Sequence, residues 1–306
     1  MTAVVEYKID SYELGYYYRR EGRVPKIKSP LRYPGGKSRA LKKILPFIPT
    51  FSEYREPFIG GGSVFIALEQ LVKRNQKFLI NDLNHDLFCF WKTVKDDLEE
   101  MVKEVRKIKK EEKEGRALYE GLMNDTFESV FEKGVRFFVL NRITFSGLSD
   151  SGGYSKQAFN LRFTDSCIDR LEKLGSIMKN VEIMNKDYEE LLHIDGKDVF
   201  IFLDPPYFKS RKSRLYGNDG DLHINFSHKR FAKNMKKCPH KWLITYDDSK
   251  EIRGLFEFAN KYEWTLQYGM NNYKQDSAKK GKELFITNYV IEEKKEKSSV
   301  KTFDNF

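Results

Sequence analysis

The chain has 306 residues, 40% of them apolar, enough for a sizeable core and a length prior of roughly two domains. No apolar run approaches the ~20 residues of a membrane span and no basic-then-apolar leader opens the chain, so neither a membrane-spanning helix nor a secretory signal is indicated and a cytoplasmic location is expected. Cys89, Cys167 and Cys238 are odd in number and far apart, which excludes a disulfide framework, and the net charge of +10 favours a polyanionic partner.

Residues 1–29 are aromatic and mixed in charge, with too little periodicity to assign; they are expected to pack on the main domain as an N-terminal extension. Leu31-Arg32-Tyr33-Pro34-Gly35-Gly36-Lys37-Ser38 leads into a helical pattern that Pro46 and Pro49 end. Gly-Gly-Lys-Ser invites a phosphate-loop reading, but the glycine such a loop needs five residues before Gly36 is Leu31. A glycine turn at a helix start can still hold an anionic group such as a carboxylate.

Tyr54 to Phe58 reads as a strand, and Glu56-Pro57-Phe58-Ile59-Gly60-Gly61-Gly62 as strand, glycine turn and the start of a helix. Lys77 to Asp82 is a second strand ending in an acid, the position that takes ribose hydroxyls in dinucleotide folds. From Asn84 to about Asn180 the pattern becomes helical. Val94, Leu98, Met101, Val105 and Ile108 predict one charged amphipathic helix over 92–114, and Phe131 to Leu140 predicts another. Residues 141–156 are polar and glycine-rich, a hairpin or loop suited to reading a partner, with Arg142, Ser146 and Lys156 as the candidates to touch it. A helix at 168–178 then returns to the strand 181–184, whose tip carries Asp187 and Tyr188.

Val199-Phe200-Ile201-Phe202-Leu203 is an apolar run fit for a strand buried on both faces, and Asp204-Pro205-Pro206-Tyr207 ends it abruptly. A carboxylate at the C-terminal end of a central strand lines the ligand crevice of an open α/β sheet. The prolines fix the direction of the Asp204 and Pro205 carbonyls and bring no N–H of their own. The stretch therefore offers acceptors and one aromatic face, which suits a planar exocyclic amine such as that of adenine. Between Phe208 and Lys241 ten Lys or Arg stand against two Asp, with Lys209, Arg211, Lys212 and Arg214 directly after the tetrapeptide; this charge favours nucleic acid.

Residues 241–246 predict a strand, 248–258 a helix capped by Asp248, and 264–268 and 284–290 the last two of seven strands. Residues 292–306 are charged and polar, and a flexible tail is expected. His223, His228, Cys238 and His240 do not match metal-ligand spacings, so no metal is expected.

Taken together, Tyr33-Pro34-Gly35-Gly36-Lys37, Glu56 to Ser63, Asn81-Asp82, Lys186-Asp187-Tyr188, Asp204 to Tyr207 and Lys282 to Tyr289 resemble, in order, the motifs of Dam-type DNA adenine-N6 methyltransferases. The resemblance covers most of the chain. It implies a Rossmann-like, doubly wound seven-stranded α/β sheet from 30–86 and 181–291, with a mainly helical target-recognition domain inserted at 87–180. It also implies S-adenosyl-L-methionine as methyl donor, held by Tyr33, Lys37, Glu56, Phe58, Gly60, Gly62, Asp82, Asp187, Tyr188 and Asp204. Asp204, Pro205 and Tyr207 become the catalytic residues, acting on an adenine flipped out of double-stranded DNA. Where relatives that recognise GATC carry an Asn-Gly-Leu-Tyr-Arg type of loop, this chain has Ser146-Gly147-Leu148-Ser149-Asp150; the guanine-reading arginine is missing, which argues against that target. A monomer or weak dimer is expected, with a cognate restriction endonuclease left open as a partner. Competing readings are an RNA adenine methyltransferase, a DNA-binding protein that has lost catalysis, and a nicotinamide enzyme; the last leaves the tetrapeptide and the basic stretch unused.

Overall fold

The computed structural model describes residues 25–72, 75–147, 152–208, 226–267 and 280–291. The apolar runs pair as β1 (Glu53–Glu56), β2 (Lys77–Asn81), β3 (Val181–Met184), β4 (Val199–Leu203), β5 (Lys241–Asp247), β6 (Asn260–Gln267) and β7 (Lys280–Thr287). Their order across the sheet is β3-β2-β1-β4-β5-β7-β6. The five strands from β3 to β5 run parallel, and β7 is antiparallel to both β5 and β6. The chain winds outward from β1 to β3 and then crosses back to β4 on the other side of β1. A crevice opens at such a reversal beyond the strands' C-terminal ends, as expected of the Rossmann-like methyltransferase sheet.

Helices cover both faces: α1 (Leu41–Ile44), α2 (Ser63–Leu71), α3 (His85–Asp96), α4 (Leu98–Glu111), α5 (Gly115–Asn124), α6 (Val130–Ile143), α7 (Lys156–Arg162), α8 (Asp165–Glu172), α9 (Tyr188–His193), α10 (His228–Lys237) and α11 (Lys250–Leu255). Because strand side chains alternate, the sheet sorts its residues into two clusters. Tyr54, Phe78, Ile80, Phe200, Phe202 and Leu243 face one, with α2, α3 and α6. Val199, Ile201, Leu203, Trp242, Ile244 and Tyr246 face the other, with α9 to α11. No helix of the described residues is long and apolar enough to cross a membrane.

Several expectations are corrected. The single helix over 92–114 is two, α3 and α4, because Asp97 leaves the helical region at φ −134° and ψ 33°. The expected apolar stripe is buried, with Val94, Met101 and Val105 in the cluster that holds Phe65 and Ile80, and α3 carries that contact back through Leu87, Phe90 and Trp91. The boundary expected at 86–87 therefore falls inside α3, and the helical region shares its core with the sheet. Helices α5 and α7 fall within the region from Asn84 to about Asn180 expected to be helical. The cap of α11 is Ser249, whose hydroxyl accepts from the Ile252 N–H, while Asp248 pairs with Arg253 at 2.7 Å. Of the N-terminal extension, Ile27 exchanges two backbone hydrogen bonds with the Gln70 side chain on α2. Residues 1–24, the 292–306 tail and Lys209, Arg211, Lys212 and Arg214 lie outside the described residues.

Candidate active site

The two-residue period of a strand fixes where the acids at the strand tips point. Glu56 is in phase with Tyr54, Asp82 with Phe78 and Ile80, and Asp204 with Phe200 and Phe202. All three therefore leave β1, β2 and β4, which are neighbours in the sheet, on the same face. The glycine turn and the 33–37 segment sit on that face too.

Asp204 is held from two sides. Lys37 Nζ donates to Oδ2 at 2.6 Å and also to the Gly35 carbonyl at 2.9 Å. The Thr245 hydroxyl on β5 donates to Oδ1, again at 2.6 Å. Lys37 is 6% exposed and Asp204 21%, so the pair is shielded but open on the carboxylate side. Lys37 Nζ also lies 5.0 Å from the centre of the Tyr207 ring. Tyr207 is tethered by its hydroxyl, which donates to Glu283 Oε2 at 2.7 Å, and Pro205 is buried. The tetrapeptide is thus a set of fixed acceptors beside an anchored aromatic ring.

The glycine turn is built for close approach. Gly60 (φ +46°) gives its N–H to Asp82 Oδ2 at 3.0 Å, and Gly62 (φ +67°) precedes α2 in the left-handed region. A Cβ on Gly60 would lie 2.7 Å from Tyr33 Cε1, and one on Gly62 2.6 Å from Trp91 Cζ2. Gly60→Ala is accordingly expected to displace Tyr33 and to cost about 1–3 kcal/mol of stability, measurable by denaturant unfolding.

Asp82 also accepts from the Asn84 N–H at 3.1 Å. Burial pushes its carboxyl up to about 6, against the three backbone N–H groups that hold it down. Burial raises the Glu56 carboxyl well above the usual range as well, with the neighbouring charges of Asp204 and Asp82 adding to the effect.

Glu56 is 2% exposed, and its Oε2 accepts from the Tyr54 hydroxyl at 2.6 Å and the Phe65 N–H at 3.1 Å. Through that oxygen it braces β1 against the first turns of α2. Asp187 caps α9 through the Glu189 N–H at 2.9 Å and pairs with Arg230 at 3.1 Å. Tyr188 stacks on Phe58, ring centres 5.4 Å apart, and its hydroxyl accepts from Asn234; burial pushes that hydroxyl up to about 12. Phe58 and Tyr188, read from separate motifs, are thus one apolar wall.

The residues expected to touch a partner divide. Lys156 is exposed at the first turn of α7, and Ser146 is half-buried with φ 56° beside the short Thr144–Tyr154 bridge. Phe145 next to it is 61% exposed. Arg142 is the correction: it is 4% exposed on α6, and its guanidinium donates to the Arg162 carbonyl (3.0 and 2.7 Å) and the Pro30 carbonyl (3.0 Å). Burial draws its pKa down to about 10, still charged at neutral pH. It is an internal strut, because two carbonyls left over at chain bends need donors inside the protein. Neighbouring Asn141 does similar work, accepting from the Arg32 N–H and donating to the Arg32 and Gly147 carbonyls.

Thr245, Glu283 and Arg230 were missed as site residues. Glu283 lies in the 282–289 motif and Arg230 in the basic stretch, while Thr245 shares the phase of Leu243 on the strand after β4.

The chain is 26% identical over 292 residues to the Type II methyltransferase M.MjaIII of Methanocaldococcus jannaschii, covering 86% of this chain and 99% of that protein. It is 30% identical over 184 residues to a DNA adenine methylase of Salmonella typhi, 58% of this chain and 64% of that one. A DNA adenine methylase of Vibrio cholerae matches at 25% over 183 residues, with the same two shares. The family described as D12 class N6 adenine-specific DNA methyltransferase matches residues 33–270, a span from Tyr33 beside the glycine turn through all of the acids at the strand tips. With that match over most of its length, the chain belongs to the D12 class of N6 adenine-specific DNA methyltransferases.

Proposed function

We propose that the crevice over β1, β2 and β4 holds S-adenosylmethionine and that Asp204 receives the amine of an adenine flipped out of duplex DNA. When bound, the donor supplies an electrophilic methyl group on a sulfonium. A donor with cationic groups fits a crevice edged by Asp82 and Asp204, and the Gly60 turn leaves the backbone open for close approach. The observation that carries the reading is Asp204 itself: a carboxylate at the switch point, oriented by two donors, beside an anchored tyrosine ring.

Adenine's amine is a weak nucleophile because its lone pair is delocalised into the ring. Accepting its N–H bonds at Asp204 and the Pro205 carbonyl favours a tetrahedral nitrogen with its lone pair free to attack. The donor would supply the methyl group to that nitrogen and depart with the electrons of its carbon–sulfur bond, and the Asp204 carboxylate, already accepting an N–H of the amine, would take the one proton the nitrogen must release. Duplex DNA would lie against the surface beside the Thr144–Tyr154 bridge, with the region 87–180 serving target recognition. Ser146, Lys156 and the basic residues Lys209, Arg211, Lys212 and Arg214 are the candidates for contact. A cognate restriction endonuclease is in keeping with the Type II name of the Methanocaldococcus relative.

Sequencing of DNA from cells expressing the protein, with modified-base detection, should show N6-methyladenine at one recurring site. Methylated cytosine, or no binding of the donor by purified protein, would reject the proposal.

Asp82 gives a pH signature. Its carboxyl sits at about 6 in the folded protein, so falling pH removes the negative acceptor proposed to hold the donor's hydroxyls. Donor affinity should weaken by up to about tenfold between roughly pH 7 and pH 5, following the ionised fraction. Asp82→Asn should flatten this part of a calorimetric pH series. The effect on folding has the opposite sign. An acid with a raised folded-state pKa binds protons more tightly when folded, so this group favours folding increasingly as pH falls from about 6 towards 4.

A further inference from the structure

We propose that Thr245 is a positioning residue for methyl transfer: its hydroxyl fixes the rotation of the Asp204 carboxylate, so that Oδ2 is the oxygen presented to the amine. This rests on the reading of Asp204 as the amine's acceptor. The two prolines after Asp204 restrain its backbone, but a terminal carboxylate torsion is broad and must be fixed by something else. The sheet supplies it. In the parallel register Leu203 pairs with Ile244, which places Thr245 beside Asp204 as the next residue on the neighbouring strand. Thr245 shares the phase of Leu243, and Asp204 that of Phe202, so both side chains leave the same face of the sheet. Thr245 is fully buried, and its hydroxyl reaches Oδ1 at 2.6 Å.

The two donors on Asp204 differ in kind. Thr245 is β-branched, stiff at χ1, and locked in a central strand. Lys37 donates from a flexible four-carbon stem and has the Gly35 carbonyl as a second acceptor. An arriving amine can therefore take a share of Oδ2 as Lys37 gives way, while Oδ1 stays pinned. A valine at this position keeps the branched shape but removes the donor, and its methyl group, which cannot sit 2.6 Å from Oδ1, also moves the carboxylate off its position.

The test uses the full chain, S-adenosylmethionine and genomic DNA free of adenine methylation. In T245V the single-turnover transfer rate should fall about 10- to 100-fold, the scale of losing one preorganised hydrogen bond. Donor and duplex dissociation constants should change by no more than a few-fold, because Asp82 and the glycine turn remain for the donor and the phosphate contacts remain for the duplex. T245S restores the hydroxyl while losing a methyl group and should return to within about threefold of the wild-type rate. A T245V that transfers at the wild-type rate overturns the proposal, and so does a T245S as slow as T245V. If T245V melts early, T245S still decides, since a purely structural role predicts that trimming the methyl group is as harmful as losing the hydroxyl. D204A is assayed alongside: wild-type transfer by D204A rejects the reading of the site, whereas a dead D204A with a full-rate T245V rejects only the role of Thr245.

Discussion

Replacing Asp204 with alanine is expected to abolish methyl transfer, lowering the rate by on the order of 10³-fold or more, with duplex affinity within a few-fold of wild type. Two effects combine. The acceptor that makes the amine a competent nucleophile is lost, and Lys37, 6% exposed and 2.6 Å from the missing oxygen, loses its ion-pair partner and retains the Gly35 carbonyl as an acceptor. Removing one partner of a shielded ion pair destabilises, so a melting experiment belongs beside the assay. Asp204→Asn should fall between wild type and D204A. Its amide oxygen can serve Lys37, and its NH2 can turn to the Thr245 hydroxyl, which can accept as well as donate. Turnover by D204A at the wild-type rate would remove Asp204 from the mechanism.

Arg142→Met should act on stability and leave DNA affinity nearly untouched. The side chain spans from α6 to the carbonyls of Arg162 and Pro30, the latter 112 residues away in sequence. Without the guanidinium, two carbonyls in the interior lose their donor, each costing about 1–3 kcal/mol, partly offset by no longer burying a charge. A melting temperature lower by roughly 5–10 °C is expected. Arg142→Lys should not restore it, because one ammonium cannot reproduce a fork that serves two directions. Weakened DNA binding with unchanged melting would instead return Arg142 to the recognition surface.

These two residues show how differently the sequence informs. Asp204 was legible because its signals are local: a run of apolar residues, an abrupt pair of prolines, an acid between them. The same holds for Asp82 at the end of β2 and for the glycines after Glu56. Alternation with period two even predicts that the three acids share a face, once the strands are adjacent. Arg142 has no such signature. A basic residue in the last turn of a helix is expected to face solvent and the helix dipole, and the neighbourhood that turns it inward comes from residues 30 and 162.

By itself, then, the sequence determined the seven strands, the acids at their tips, the glycine turn and the order of motifs that identifies the family. Each of these is written in residues a few positions apart, where Pro, Gly and periodicity act directly on the backbone. Tertiary structure alone decided the partners: Lys37 against Asp204 across 167 residues, Thr245 against Asp204 across 41, the break at Asp97, and the sharing of one core by the sheet and helix α3. Those depend on which strands and helices become neighbours, and the cost of closing such long loops is met by the packing of the whole molecule, not by any short stretch of it.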